Sequence, residues 1–314
     1  NKGTDEGEFG LKNMSDHNSD DADVITMPVY SRWIFLIGGI CSVTAELFVI
    51  VTYFKFGQLR KFPGSLILTI TFWELINSNF YIASSISSFL QPDGYSSESH
   101  LCQLGGIVEV GSLSMYSGYQ ICFSHFMLML IKNPFLTTTK RTKYGYHIFA
   151  FLLWIPILYA FFKPSDTIYS SPYGTCGLVA PTFTAYAEFI PITALVLMIV
   201  TLSVSLWTYW KADFPILRSF FKRQILYLVI YCICELSYIV ALYLALGAPL
   251  RSHPQIDGIV TFFAIFTPTF LCPVRLLEPI VWDYLIGRRR QQEQQDFNPF
   301  REMEESFQES INEV

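Results

Sequence analysis

Seven apolar stretches, each long enough to cross a bilayer, dominate this chain of 314 residues. A transmembrane helix needs about 20 mostly apolar residues to span a hydrocarbon core of about 30 Å. Such stretches cover residues 33–56, 65–90, 103–131, 146–162, 183–210, 225–246 and 258–286. We therefore predict an all-α bundle of seven transmembrane helices over residues 29–287, preceded by an acidic segment over 1–28 and followed by a tail over 288–314.

The connectors between these stretches alternate between basic and non-basic, and this alternation orients the bundle. The connectors of the basic side contain Lys55, Arg60, Lys61, Lys132, Lys140, Arg141, Lys143, Lys211, Arg218, Lys222, Arg223, Arg288, Arg289 and Arg290. The other side carries little beyond Lys163 and Arg251. Because basic connectors face the cytoplasm, we predict an outer N-terminus, an inner C-terminus and a multi-pass protein of the plasma membrane.

Composition agrees with a membrane protein, since only 15% of the residues are charged, against about 25% in a soluble domain. The tails are polar and add two expectations. Asn13-Met14-Ser15 is a glycosylation sequon on the predicted outer side. The basic run 288–290 followed by a Gln-rich run predicts a short amphipathic helix along the membrane surface.

The seven cysteines separate by depth. The five within spans are Cys41, Cys122, Cys232, Cys234 and Cys272, where packed, reduced thiols are usual. Cys102 begins the third span and Cys176 lies in the outer connector before the fifth. Because these two share the oxidising side, we predict a disulfide between them.

Short motifs follow one another along the third, fifth and seventh spans. They are Tyr119-Gln120-Ile121-Cys122 with Met129-Leu130-Ile131-Lys132, then Gly174-Thr175-Cys176 with Phe183-Thr184-Ala185-Tyr186, and finally Pro279-Ile280-Val281-Trp282-Asp283-Tyr284-Leu285-Ile286-Gly287. Together with the outer cysteine pair, this series resembles the seven-helix G-protein-coupled receptors, most closely the cyclic-AMP-receptor-like group of protists.

The resemblance implies a receptor without enzymatic activity, which converts binding of an extracellular ligand into activation of a heterotrimeric G protein. One departure limits it, because Glu278 stands where the family has Asn. No Asp-Arg-Tyr follows the third span, which argues against the rhodopsin-like class of receptors. The family's ligand is an anion, whereas only Lys163, Arg251 and His253 offer positive charge near the outer side. We therefore leave the ligand open.

Charged residues inside the spans form a second informative set: Glu46, Glu74, Glu235, Arg275 and Glu278. A bare charge at mid-membrane costs about 2.5–3.5 kcal/mol, so each needs a partner or water. Arg275 is expected to pair with Glu74 or Glu278. The remaining carboxylates are either protonated or gathered around a bound sodium ion. The set acts as a static polar clamp or as a switch between two states.

An upper polar set predicts a ligand pocket open to the outside. Its residues are Glu109, Tyr116, Tyr119, Gln120, Tyr186 and Glu188. Carboxylates and tyrosines suit a cationic or amine-bearing ligand through ion pairing and cation–π contact. The alternative is that these residues anchor the helices at the membrane interface.

A basic rim is expected on the cytoplasmic side, formed by Lys132, Lys140, Arg141, Lys143, Arg218, Lys222 and Arg223. It suits anionic lipid headgroups and, by resemblance, the C-terminal helix of a G-protein α subunit; we expect no nucleic-acid partner.

Other seven-helix classes fit less well. The seventh span, 258–286, has no lysine for a retinal Schiff base. Among five histidines only His125 lies deep in a span, so a His-rich zinc site is not expected, and no resident cofactor is predicted. The alternative that remains is a proton- or cation-conducting protein that uses the mid-membrane carboxylates; a structural subunit of a larger assembly also stays open.

Overall fold

The computed structural model describes residues 24–25, 29–90, 95–96, 100–133, 139–162, 168–170, 176–178, 181–211, 222, 224–237, 239 and 254–277. Helices dominate these residues, which confirms the all-α prediction. They are α1 (Val29–Lys55), α2 (Gly64–Leu90), α3 (His100–Lys132), α4 (Lys140–Phe162), α5 (Pro181–Lys211), α6 (Gln224–Ser237) and α7 (Pro254–Arg275). A short 3₁₀ helix, Gly57–Arg60, joins α1 to α2.

Four short strands lie in the connectors at the end of the molecule where α2 ends and α3 begins. They are β1 (Val24–Ile25), β2 (Tyr95–Ser96), β3 (Ile168–Ser170) and β4 (Cys176–Leu178). β1 pairs antiparallel with β2, and β3 pairs antiparallel with β4, with Ser170 opposite Cys176. β4 packs against α3.

Three helical segments are long and apolar enough to cross a membrane: Val29–Lys55, Gly64–Leu90 and Phe189–Lys211. Two shorter apolar segments, Gln224–Ser237 and Thr261–Arg275, lie in α6 and α7. The outer surface agrees with an apolar solvent, because Phe54, Phe189 and Trp210 are all more than half exposed. Serine and threonine hydroxyls are instead buried between the helices, as expected where lipid cannot satisfy polar groups.

α3 occupies the centre of the fold, in contact with α2, α4 and α5. Its inward face carries Met115, Phe123 and Met127, which belong to a buried cluster with Tyr231 of α6 and Leu271 of α7. α1 packs on α2 and α7. This packing gathers the inward faces of five helices, α1, α2, α3, α6 and α7, around the polar groups described below.

The structure describes the seventh predicted span, 258–286, as far as residue 277, and within this part α7 extends to Arg275. The amide of Leu276 lies within hydrogen-bonding distance of both the Cys272 and the Pro273 carbonyls, and that of Leu277 donates to Val274. Such tighter bonds to the third preceding residue are typical of a helix terminus.

Candidate functional site

A buried ion pair between α2 and α7 is the most polar contact in the described structure. Arg275 Nη2 donates to Glu74 Oε1 at 2.9 Å, and Nη1 donates to Glu74 Oε2 and to the Thr71 hydroxyl. The two side chains are 1% and 5% exposed. Such two-pronged pairing fixes direction as well as distance. Arg275 therefore holds α7 against α2 and uses Glu74, the first of its two expected partners.

Glu46 connects α1 to the same region. Its carboxylate accepts a hydrogen bond from Ser78 of α2 at 2.9 Å, and the side chain is 1% exposed. Glu74 and Arg275 lie close enough to act on it electrostatically. Oε2 of Glu46 has no hydrogen-bond partner among the described residues.

α6 is attached to α3 by two buried polar contacts. The Tyr116 hydroxyl donates to Glu235 Oε2 at 2.5 Å and lies 3.5 Å from the Tyr231 hydroxyl. One turn further along α3, the Gln120 amide donates to the Tyr227 hydroxyl at 3.0 Å. The Tyr227 ring also faces Arg275, 5.8 Å from its guanidinium carbon. The α3–α6 contacts therefore adjoin the α2–α7 ion pair.

A small cavity lies between these two pairs. Its volume is about 40 Å³, enough for water-sized occupants. It is lined by Glu74, Asn77, Ser78, Tyr81, Leu113, Tyr116, Glu235, Ala264, Thr267 and Pro268. Most polar lining groups come from α2. The lining carboxylates are Glu74 of α2 and Glu235 of α6. We call this space the polar cavity.

The residues predicted to form a ligand pocket divide into different environments. Tyr116 lines the polar cavity. Tyr119 is directed at α4, where its hydroxyl meets His147 Nδ1 at 2.8 Å, and Gln120 is occupied by Tyr227. Glu109 is half-buried nearer the start of α3. The other two, Tyr186 and Glu188, belong to α5, but their side chains lie outside the described residues.

Two other predicted sets are described only in part. Lys132 and Lys140 are exposed at the same end of α3 and α4, with Arg141, and Lys222 is exposed as well. Lys143 lies over the Phe62 ring at 5.6 Å. Glu278 and the rim residues Arg218 and Arg223 lie outside the described residues, as does the sequon residue Asn13.

The predicted disulfide is likewise not described at its sulfur atoms. Cys102 lies in the first turn of α3 and Cys176 begins β4, which packs against α3. The five cysteines within spans are free thiols: Cys41, Cys122, Cys232, Cys234 and Cys272.

Several groups around the polar cavity did not stand out in the sequence. Ser78, Asn77, Thr267, Tyr227 and Tyr231 are small or amphipathic, and such residues are common in any helix. A signal was nevertheless present, because Tyr227, Tyr231 and Glu235 recur at every fourth position of α6 and so share one face. Glu74 and Ser78 have the same spacing on α2.

Comparison with known protein families and with curated proteins gives no match for this chain. The functional argument therefore rests on the residues and contacts described above.

Proposed function

We propose that this chain is a plasma-membrane receptor with seven spans, an outer N-terminus and an inner C-terminus, which couples an extracellular ligand to a heterotrimeric G protein. The observation that carries the proposal is the attachment of α6 to α3 through the Tyr116–Glu235 and Gln120–Tyr227 contacts. These bonds join side chains of separate helices, so they can break and re-form without unfolding either helix. A bundle with such contacts supports two packed states.

Ligand and transducer would act at opposite ends of this arrangement. Glu109 lies nearer than the cavity-lining Tyr116 to the end of α3 that we assign to the outside. A cationic or amine-bearing ligand suits the acidic groups there. At the other end, the exposed Lys132, Lys140 and Lys222 suit anionic lipid and a G-protein α subunit.

Guanine-nucleotide exchange on a panel of purified G-protein α subunits tests the proposal, with this protein in nanodiscs. A double variant, Lys222→Ala with Arg223→Ala, removes charge from the connector between α5 and α6. Lys61→Ala is the matched control, since Lys61 is an exposed basic residue of another connector. We expect exchange with the native chain and the control, and a loss with the double variant.

A third variant, Tyr116→Phe, examines the two-state mechanism. It removes only the hydroxyl that donates to Glu235. If that contact stabilises the inactive state, basal exchange rises several-fold, because about 1.4 kcal/mol changes an equilibrium tenfold. Unchanged exchange in this variant, with an α subunit that responds to the native chain, would contradict the role of the contact.

Conduction of protons or cations is the second candidate, and the polar cavity with its carboxylates favours it. Liposome flux measurements separate the two functions. A proton or sodium current that is lost in Glu235→Gln, together with no exchange on any α subunit, would support conduction and contradict the receptor proposal.

A further inference from the structure

Charge is unbalanced in the described interior. The buried charged residues there are the carboxylates Glu46, Glu74 and Glu235 and the guanidinium of Arg275. Arg275 is bonded to both oxygens of Glu74. Two carboxylates therefore lack a cationic hydrogen-bond partner, and buried charge without compensation is strongly unfavourable.

Two carboxylates line the polar cavity, and Glu235 is the one that is not bonded to Arg275. It is 3% exposed, and while Oε2 accepts the Tyr116 hydrogen bond, Oε1 has no hydrogen-bond partner among the described residues. A buried oxygen without a donor costs about 1–3 kcal/mol, and more when it is charged. The unpartnered oxygen and the cavity beside it are separate observations that indicate the same missing group.

Three hydroxyls around the cavity offer lone pairs rather than hydrogens, whereas the Tyr81 hydroxyl accepts from Asn77 Nδ2 at 2.8 Å and keeps its own hydrogen. The Tyr116 hydroxyl donates to Glu235, the Ser78 hydroxyl donates to Glu46, and the Thr267 hydroxyl donates to the Phe263 carbonyl at 2.9 Å. A hydroxyl that already donates has only acceptor capacity left. The cavity is therefore suited to an occupant that is attracted by oxygen lone pairs.

We propose that the polar cavity binds a small monovalent cation, with Glu235 as its charged ligand and the oxygens of Ser78, Tyr116 and Thr267 around it. Carboxylate, hydroxyl and carbonyl oxygens suit hard cations such as Na⁺. Calcium takes six to eight oxygens, commonly with several carboxylates, and no three acidic, His or Cys side chains converge for a metal in the described part of the chain.

Ser78 extends the effect of the cation to α1, since its oxygen lines the cavity while its hydrogen is bonded to Glu46. A single positive charge at this point lies near both carboxylates that Arg275 leaves uncompensated. The site contacts α2, α3, α6 and α7, so occupancy stabilises their packing. The proposal does not depend on coupling to a G protein.

Binding of radioactive ²²Na⁺ to the purified chain in nanodiscs tests the site directly, with NaCl, KCl and N-methyl-D-glucamine chloride as competitors. We expect saturable binding that NaCl displaces and N-methyl-D-glucamine does not. Glu235→Gln removes the charge but keeps an oxygen for Tyr116, and should weaken binding at least tenfold. Thr267→Val removes one neutral oxygen at nearly constant volume, and should weaken binding several-fold.

Thr201→Val is the matched control for Thr267→Val, because Thr201 is a buried threonine of α5 that donates to the Leu197 carbonyl of its own helix and does not line the cavity; it should bind as the native chain does. Thermal unfolding of each variant shows that it is folded, and sodium should raise the midpoint of the native chain by a few degrees.

Absence of saturable binding, or equal binding by Glu235→Gln, overturns the proposal. So does an infrared band of a protonated carboxyl that disappears in Glu235→Gln, since a proton would then occupy the site. Nucleotide exchange is measured separately, so failure of the two proposals is distinguishable.

Discussion

Arg275 and Glu74 illustrate how much one residue pair can contribute in a low-dielectric interior. Removing one partner of a buried pair leaves the other charge unpaired and costs about 3–5 kcal/mol, whereas replacing both can be nearly neutral. The same reasoning predicted from sequence that Arg275 would use a carboxylate, because it is the single basic residue deep in the predicted spans.

Glu74→Gln and Arg275→Met should each lower the thermal unfolding midpoint substantially, while the double variant should recover part of the loss. The reason is that each single change strands a buried charge and the double change strands none. Thermal unfolding in nanodiscs measures all three. Additive losses in the double variant would show that the pair does not act as a unit.

The contact between Tyr116 and Glu235 could not be predicted from the sequence. Both residues were candidates, but for different sites, a ligand pocket and a mid-membrane layer. Which pair meets depends on the rotation and depth of α6 relative to α3, and these follow from the packing of Tyr231, Phe123 and Leu228. Spacing along one helix indicates which residues share a face, but it does not indicate which face of another helix they meet.

Helix bounds are far more accessible to sequence. The span predicted over 65–90 is α2, Gly64–Leu90, and the span over 183–210 lies within α5, Pro181–Lys211. Long apolar stretches between polar connectors define such helices directly.

The start of α2 depends on a glycine. A Cβ at Gly64 would lie 1.9 Å from the Leu59 carbonyl oxygen, so Gly64→Ala must displace the 3₁₀ helix from α2. We expect a marked loss of thermal stability and of folded yield, measured by fluorescence-detected size exclusion. Gly145→Ala in α4 is the control, because nothing lies within 4 Å of its Cβ position and alanine is favoured over glycine in helices by about 1 kcal/mol. A Gly64→Ala protein as stable as the control would contradict the close approach.

The last turns of α5 predict where the helix meets the membrane surface. Trp207 and Trp210 are 65% and 77% exposed, and Lys211 lies 4.1 Å from the centre of the Trp207 ring. Exposed tryptophans beside a lysine are typical of the membrane–water interface. We expect lipids brominated near the headgroup to quench tryptophan fluorescence in the native chain, and to quench it less in the Trp207→Phe, Trp210→Phe variant. The opposite result is that lipids brominated near the chain ends, rather than near the headgroup, lose more of their quenching in the variant. That result would place this end of α5 deep in the bilayer.

At the level of the whole molecule, three segments among the described residues meet the length and hydropathy of a membrane span, and the seven-span arrangement stays a prediction. α3 shows why hydropathy alone is insufficient, since its 33 residues include four serines that face other helices. A polar inward face lowers the mean hydropathy of a helix without preventing it from crossing.

The Cys102–Cys176 disulfide would close a loop of about 75 residues, which corresponds to about 4 kcal/mol in the chain-entropy model. Cys102→Ser and Cys176→Ser should therefore lower the unfolding midpoint by similar amounts, with no further loss when combined. Cys41→Ser is the control, because Cys41 is a free thiol in α1. If the losses of unfolding midpoint in the two single variants add up in the double variant, Cys102 and Cys176 do not form a disulfide.

The buried serines of α3 also bear on how the chain enters a membrane. Ser114, Ser117 and Ser124 are fully buried against neighbouring helices in the finished fold, but during synthesis these neighbours are not yet all in place. A helix with such a face partitions poorly into lipid by itself. If α3 spans the membrane as the sequence predicts, we expect it to leave the insertion machinery together with α2, its earlier partner in the chain, and α5, a later and more apolar partner, to complete its enclosure.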